Sequence, residues 1–209
     1  MTQPADRLPV YLEVGQKRVF AAAVDWPGWS RSGKSEDEAL ATLLEYGPRY
    51  ARAVAAAALD LVAPEEAAAL AVVERLPGSS GTDFGAPGSM PAADTQPFDA
   101  AALARALAIL SAIWQSFDAA AESAVGVALR KGPRGGGRDL EAIVAHVRGA
   151  DAAYLSRLGW PRPKGIAEPA EEHAAIRQAM REALAAGMRG ELPEHGPRGG
   201  QVKAPARVV

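Results

Sequence analysis

Apolar and polar residues alternate with two different periods along this chain, and the change of period divides it. In the first third the apolar runs are short. Val10-Tyr-Leu-Glu-Val14 and Arg18-Val-Phe-Ala-Ala-Ala-Val-Asp25 are rich in β-branched and aromatic residues and are separated by Gly15-Gln-Lys17. That pattern predicts a hairpin with a three-residue loop. Trp26-Pro-Gly-Trp29 ends the second strand as a turn, and Ser30–Lys34 reads as loop. Ser35-Glu-Asp-Glu38 has the form of a capping box, in which the Ser35 hydroxyl takes the Glu38 amide and the Glu38 carboxylate reaches back to Ser35. The helix it starts runs to Tyr46. Gly47-Pro48 then imposes a kink or a second helix reaching about Ala58, because proline has no amide to donate and clashes with the preceding turn. Leu70–Leu76 predicts a last strand, so the unit reads β-β-α-β over residues 1–77.

Residues 78–97 are dense in Gly, Pro and Ser and lack periodicity, which predicts a linker, with Phe84 as its tether to a neighbouring surface. Beyond it the period becomes helical. Leu103, Leu107, Leu110, Trp114, Phe117, Ala121 and Ala124 repeat in steps of three and four behind an Asp99 N-cap, on a helix extending to about Leu129. Asp139 caps a second helix with Leu140, Ile143, Val144, Val147, Tyr154, Leu155 and Leu158 on one face, ended by Gly159-Trp-Pro-Arg-Pro163. A third helix spans about Ala170–Ala186 with Ile176, Met180, Ala183 and Leu184 inward. The class expected is therefore α+β: a small sheet unit, then an up-down helical bundle over residues 98–209 with three long helices and no fourth.

Composition narrows the function. The formal net charge of −2 creates no field that would recruit nucleic acid or anionic lipid. With no cysteine there is no disulfide, thiol nucleophile or thiolate zinc site. The N-terminus lacks the pattern of a signal peptide, and no charge-free run of about 18 apolar residues stands out, so the expectation is a cytoplasmic protein with no membrane span.

Several residues interrupt the patterns in ways that bear on chemistry. Trp26 and Trp29 read either as the cap of a small core or as an interface patch for a protein partner. Asp151 falls between Val147 and Leu155 on the buried face, where a carboxylate needs a partner: a tyrosine hydroxyl, an arginine or a helix end. His146 lies at the edge of that face, and His173 is in line with Ile176 and Met180. The tract Lys131-Gly-Pro-Arg-Gly-Gly-Gly-Arg138 recurs, shortened, as Gly196-Pro-Arg-Gly-Gly200. Its amides at Gly135 and Gly136, with Arg134 and Arg138, form a candidate anion-binding nest, or else a basic helix end closed by a glycine turn.

Two resemblances follow from these residues. Val19–Tyr46, with Asp25, Pro27 and Gly28 in the turn and Glu38, Ala39 and Leu40 at the helix start, resembles the HicB-like antitoxin domain. The resemblance implies a compact sheet with one helical face, used to bind a toxin nuclease. Residues 134–158, with His146, Asp151, Tyr154 and Leu155, resemble the second helix of the DinB-like (YfiT-like) four-helix bundle superfamily. That family implies a divalent metal, zinc or nickel, held by three histidines, the first being His146 and the other two spaced HxxxH on a last helix. Here the histidines are His146, His173 and His195, and no two have that spacing. His173 is the remaining candidate ligand, and completion of the site would fall to another chain. The expected function is thus binding or regulation without catalysis, through a protein partner or a homodimer that covers the open bundle face. The alternatives are a metal-dependent transferase or hydrolase using His146, and a toxin-neutralising module.

Overall fold

The β-branched runs of the first third pair into one four-stranded sheet. The computed structural model describes residues 7–130, 139–196 and 200–209, and the chain divides into two units at Pro97/Phe98. In the first unit β1 (Leu8–Val14) and β2 (Val19–Ala23) form the expected hairpin, in register from Val10 opposite Ala23 to Val14 opposite Val19. A third strand, β3 (Ser30–Gly33), pairs antiparallel with β2 where a loop was expected. Ser-Arg-Ser-Gly has no apolar alternation to announce a strand; the open edge of β2 supplies its hydrogen bonds instead. Two helices follow, α1 (Glu36–Glu45) and α2 (Gly47–Val54), with the break at Gly47-Pro48. The chain then returns as β4 (Leu70–Pro77), parallel to β1, giving the order β3-β2-β1-β4.

Local chemistry explains these junctions. Ser35 Oγ accepts the Glu38 amide at 3.2 Å, but the Glu38 carboxylate accepts from the Lys34 amide at 2.9 Å, one residue before the expected Ser35 amide. Gly28 adopts φ of 84°, the left-handed conformation that the turn between the two tryptophans requires. Trp26 and Trp29 are both buried. The Trp29 indole donates to the Leu43 carbonyl at 2.9 Å and stacks on Tyr50 at 5.4 Å, and the Tyr50 hydroxyl donates to the Pro27 carbonyl at 2.8 Å. The tryptophans therefore hold α1 and α2 to the turn, and the interface reading is corrected.

The segment expected to be a linker is folded onto the same sheet. Residues Ser80–Phe84 form a short helix, α3, capped by Ser79. The Asp83 carboxylate accepts from the amides of Lys17 and Arg18 at 2.8 and 3.2 Å, closing over the β1–β2 turn. Glu13 of β1, 1% exposed, accepts from the Thr82 hydroxyl and from the amides of Gly88 and Ser89 at 3.1 and 2.8 Å. Phe84, the expected tether, is 89% exposed; carboxylate hydrogen bonds anchor the segment.

The second unit contains α4 (Ala100–Ser123), α5 (Leu140–Arg157) and α6 (Pro169–Met188). Asp99 and Asp139 cap the first two as expected, each accepting the amide three residues on, at 2.9 and 2.8 Å. α4 ends at Ser123, short of Leu129. α6 packs against both other helices around Trp114, Leu155, Leu158, Ile176, Met180 and Leu184. Tyr154, expected inward, is exposed at 40%, with Arg157 over its ring.

Among the described residues after α6 there is one short 3-10 turn, Pro205–Arg207, and no long helix, yet the segment joins this core. Leu192, Val208 and Val209 pack against it, and the Lys203 amide donates to the Arg157 carbonyl at 2.8 Å. Gly159 (φ 71°) has no room for a side chain, because a Cβ there would lie 2.6 Å from Pro193 and 2.8 Å from Val202. The open bundle face expected from a missing fourth helix is therefore corrected in part, since this strap covers some of it. α4 is long and apolar enough by composition to cross a membrane, although Arg105 and Asp118 interrupt it, so it is not the charge-free run whose absence was expected. Alanine supplies much of that hydropathy. Trp114 of α4 sits in the bundle core and its Asp118 pairs with Arg177, which are the features of a bundle helix.

Candidate functional site

Five charged or titratable side chains from three helices converge on one end of the bundle. Asp118 comes from α4, Arg148 and Asp151 from α5, and His173 and Arg177 from α6. Helical spacing explains the grouping. Arg148 and Asp151 are three residues apart, and His173 and Arg177 four, so each pair lies on one face of its helix. Pro169 and two glutamates in the first turn start α6 just before His173, placing the histidine near that helix's N-terminal end.

The Asp151 carboxylate is hydrogen-bonded to His173 Nε2 at 2.8 Å, with the two side chains 17% and 8% exposed. A histidine was not among the partners foreseen for Asp151, although both residues were singled out; residue spacing within one helix cannot say which residue of another helix lies opposite. Arg177 grips Asp118 through both terminal nitrogens, at 2.6 and 2.9 Å. Its Nε lies 3.8 Å from Asp151, too far for a hydrogen bond, and the guanidinium sits over the Trp114 ring at 5.2 Å. The hydrogen bond from Arg177 holds the Asp118 carboxyl below its ordinary range. Partial burial opposes that, and the charges of Arg177, His173 and Arg148 add to it.

Arg148 and Arg177 each have a buried Nε without a hydrogen-bond partner, but Arg177 pairs with Asp118, whereas among the described residues no carboxylate lies within ion-pair distance of the Arg148 guanidinium. Arg148 lines a recess of about 630 Å³ between the three helices, together with His173 and Asp118. The other walls are largely apolar, formed by Phe117, Ala121, Leu140 and Val144, and the exposed Glu122 and Glu141 stand at the rim. A smaller recess of about 230 Å³ adjoins it and shares Arg148, His173, Ala145 and Pro169.

His146, the residue carried by the bundle resemblance, is exposed and lines neither recess. His195 is exposed in the C-terminal strap. Among the described residues no three His, Asp or Glu side chains group to hold a metal ion. The polar cluster does not fit a divalent cation: Asp118 and Asp151 are each engaged by a cation or the histidine, His173 Nε2 faces Asp151, and two arginines bring positive charge to the same place. Arg134, Gly135, Gly136 and Arg138, the candidate anion nest, lie outside the described residues.

Compared with protein-family models, with curated proteins and with solved structures, the chain matches none.

Proposed function

We propose that this chain is a binding protein whose helical unit takes a small amphipathic carboxylate, with the carboxylate against Arg148 and His173 and the apolar body along Phe117, Leu140 and Val144. The observation that supports this most is Arg148, whose buried Nε has no hydrogen-bond partner and which lines a recess with largely apolar walls. Leaving a buried donor without an acceptor costs about 1–3 kcal/mol, so a ligand carboxylate there gains what the free protein lacks. A recess of about 630 Å³ is within the usual range for small-molecule sites. The acidic rim at Glu122 and Glu141 disfavours polyanions and admits a single carboxylate on an apolar stem.

The homodimer reading has less to rest on, because Leu192, Val208 and Val209 already pack against the bundle core. A metal-dependent reading through His146 has less support, because among the described residues no group of three His, Asp or Glu side chains could hold a metal ion. Isothermal titration of the full chain with octanoate tests the proposal. Saturable binding that Arg148→Ala abolishes and His146→Ala leaves unchanged is expected. No heat at millimolar octanoate, or equal affinity in Arg148→Ala, refutes it.

A further inference from the structure

A second cavity lies at the opposite end of α5. About 660 Å³ opens between the C-terminal end of α5, the segment after it and the strap, lined by Arg157, Trp160, Arg162, Lys164, Gly200 and Gln201 among others. His195 and Gln201 form an antiparallel bridge, and the Gly196 amide donates to the Gly200 carbonyl at 2.7 Å, so Gly196, Gly200 and Gln201 lie side by side on the cavity wall.

Among the described residues, every charged side chain lining this cavity is basic. Basic residues at a helix C-terminus commonly serve the helix itself, answering its free carbonyls. Here those carbonyls are already taken. Tyr154 and Leu155 accept from the Leu158 amide, Leu155 also from Trp160, Ser156 from Gly159, and Arg157 from Lys203 of the strap. Arg162 pairs with Glu172 at 2.8 Å on an exposed edge, and Arg157 lies over Tyr154. Among the described residues no carboxylate is within ion-pair distance of Arg157 or Lys164. Positive charge is thus left over around a cavity lined by one large aromatic side chain, Trp160, which also packs against the bundle core. Pro161 and Pro163 fix φ on both sides of Arg162, which lowers the ordering cost of a bound state.

We infer that this cavity binds a phosphate ester carrying a planar ring, of the size of a nucleoside monophosphate. Arg157 and Lys164 take the phosphate and the ring lies on Trp160. Arginine offers paired donors suited to phosphate oxygens, and an indole face accepts any flat ring without reading its edge. The site is independent of the carboxylate recess: it uses neither Arg148 nor His173, and its acid-free lining favours the more highly charged anion that the other rim disfavours.

The test is titration of the full chain with adenosine monophosphate, adenosine and inorganic phosphate, followed by calorimetry and tryptophan fluorescence. Adenosine monophosphate is expected to bind saturably, at least tenfold more tightly than either fragment, and to weaken as salt rises. Arg157→Ala with Lys164→Ala lowers its affinity tenfold or more with an unchanged far-ultraviolet circular dichroism spectrum, and Trp160→Leu removes the ring's share while leaving phosphate binding in place. Octanoate binding is unaffected in all of these variants. The inference fails if adenosine monophosphate shows no saturation at millimolar concentration, or if inorganic phosphate binds as tightly. It fails equally if the double variant binds like the parent, or if a single-stranded oligonucleotide outcompetes the mononucleotide.

Discussion

Glu13 in the sheet unit and the Arg148 cluster in the helical unit are two ways of placing charge inside a fold. Glu13 is 1% exposed, and three donors from its own unit converge on its two oxygens. No cavity is needed beside it, and the donors come from the segment it anchors. Around Arg148 the pairing is incomplete: Asp151 has His173, Asp118 has Arg177, and among the described residues Arg148, which lines a recess of about 630 Å³, has no carboxylate within ion-pair distance and a buried Nε without an acceptor. A buried charge whose hydrogen bonds are complete within the chain is architecture. One left short beside an open volume is poised for a ligand.

Substitutions sharpen that contrast. Glu13→Ala strands two backbone amides and a hydroxyl and is expected to cost about 3 kcal/mol or more, read as a shift in the denaturant midpoint, with no effect on octanoate titration. His173→Ala leaves Asp151 without its donor and costs about 1–3 kcal/mol. In a double-mutant cycle with Asp151→Ala, a coupling of about 1 kcal/mol is expected, and additive losses would show the pair to be uncoupled.

Asp118→Asn is a smaller change, because that carboxylate is largely exposed; about 0.5 kcal/mol or less is expected at neutral pH. Arg177 lowers the folded-state pKa of Asp118 below its unfolded value, so the pair's contribution is complete above that unfolded value, about 3.9. It is lost as pH falls through the folded one. Melting curves of parent and Asp118→Asn should therefore converge as the pH drops below about 4. Arg148→Ala is expected to change stability least, within about 0.5 kcal/mol, while losing octanoate; a large destabilisation would make Arg148 architecture like Glu13.

Much of the framework was legible from residue order because its causes are local. Asp99 and Asp139 cap their helices through amides three residues away, Gly47-Pro48 breaks α1 from α2, and the Val10–Val14 and Val19–Ala23 runs pair across a tight turn. The strand Ser30–Gly33 was not legible, since an edge offered by β2, and no pattern of its own, makes it a strand. Nor was the folding of Ser80–Phe84, whose Gly/Ser composition resembles a spacer while Thr82 and Asp83 supply the anchors.

The site divides the same way. Asp151 and His173 stood out as polar residues on apolar faces, and His146 stood out by resemblance; the fold joins the first two and leaves the third exposed. Helical periodicity assigns a residue to a face, and that much the order of amino acids determined by itself: two units, three long helices, and polar residues turned inward. Which residue meets which across helices depends on their relative rotation and axial offset, a sum of many packing contacts. Only the tertiary structure could decide that Asp118 finds Arg177 across 59 positions, that Asp151 finds His173, and that Arg148 lines a recess without a carboxylate partner among the described residues.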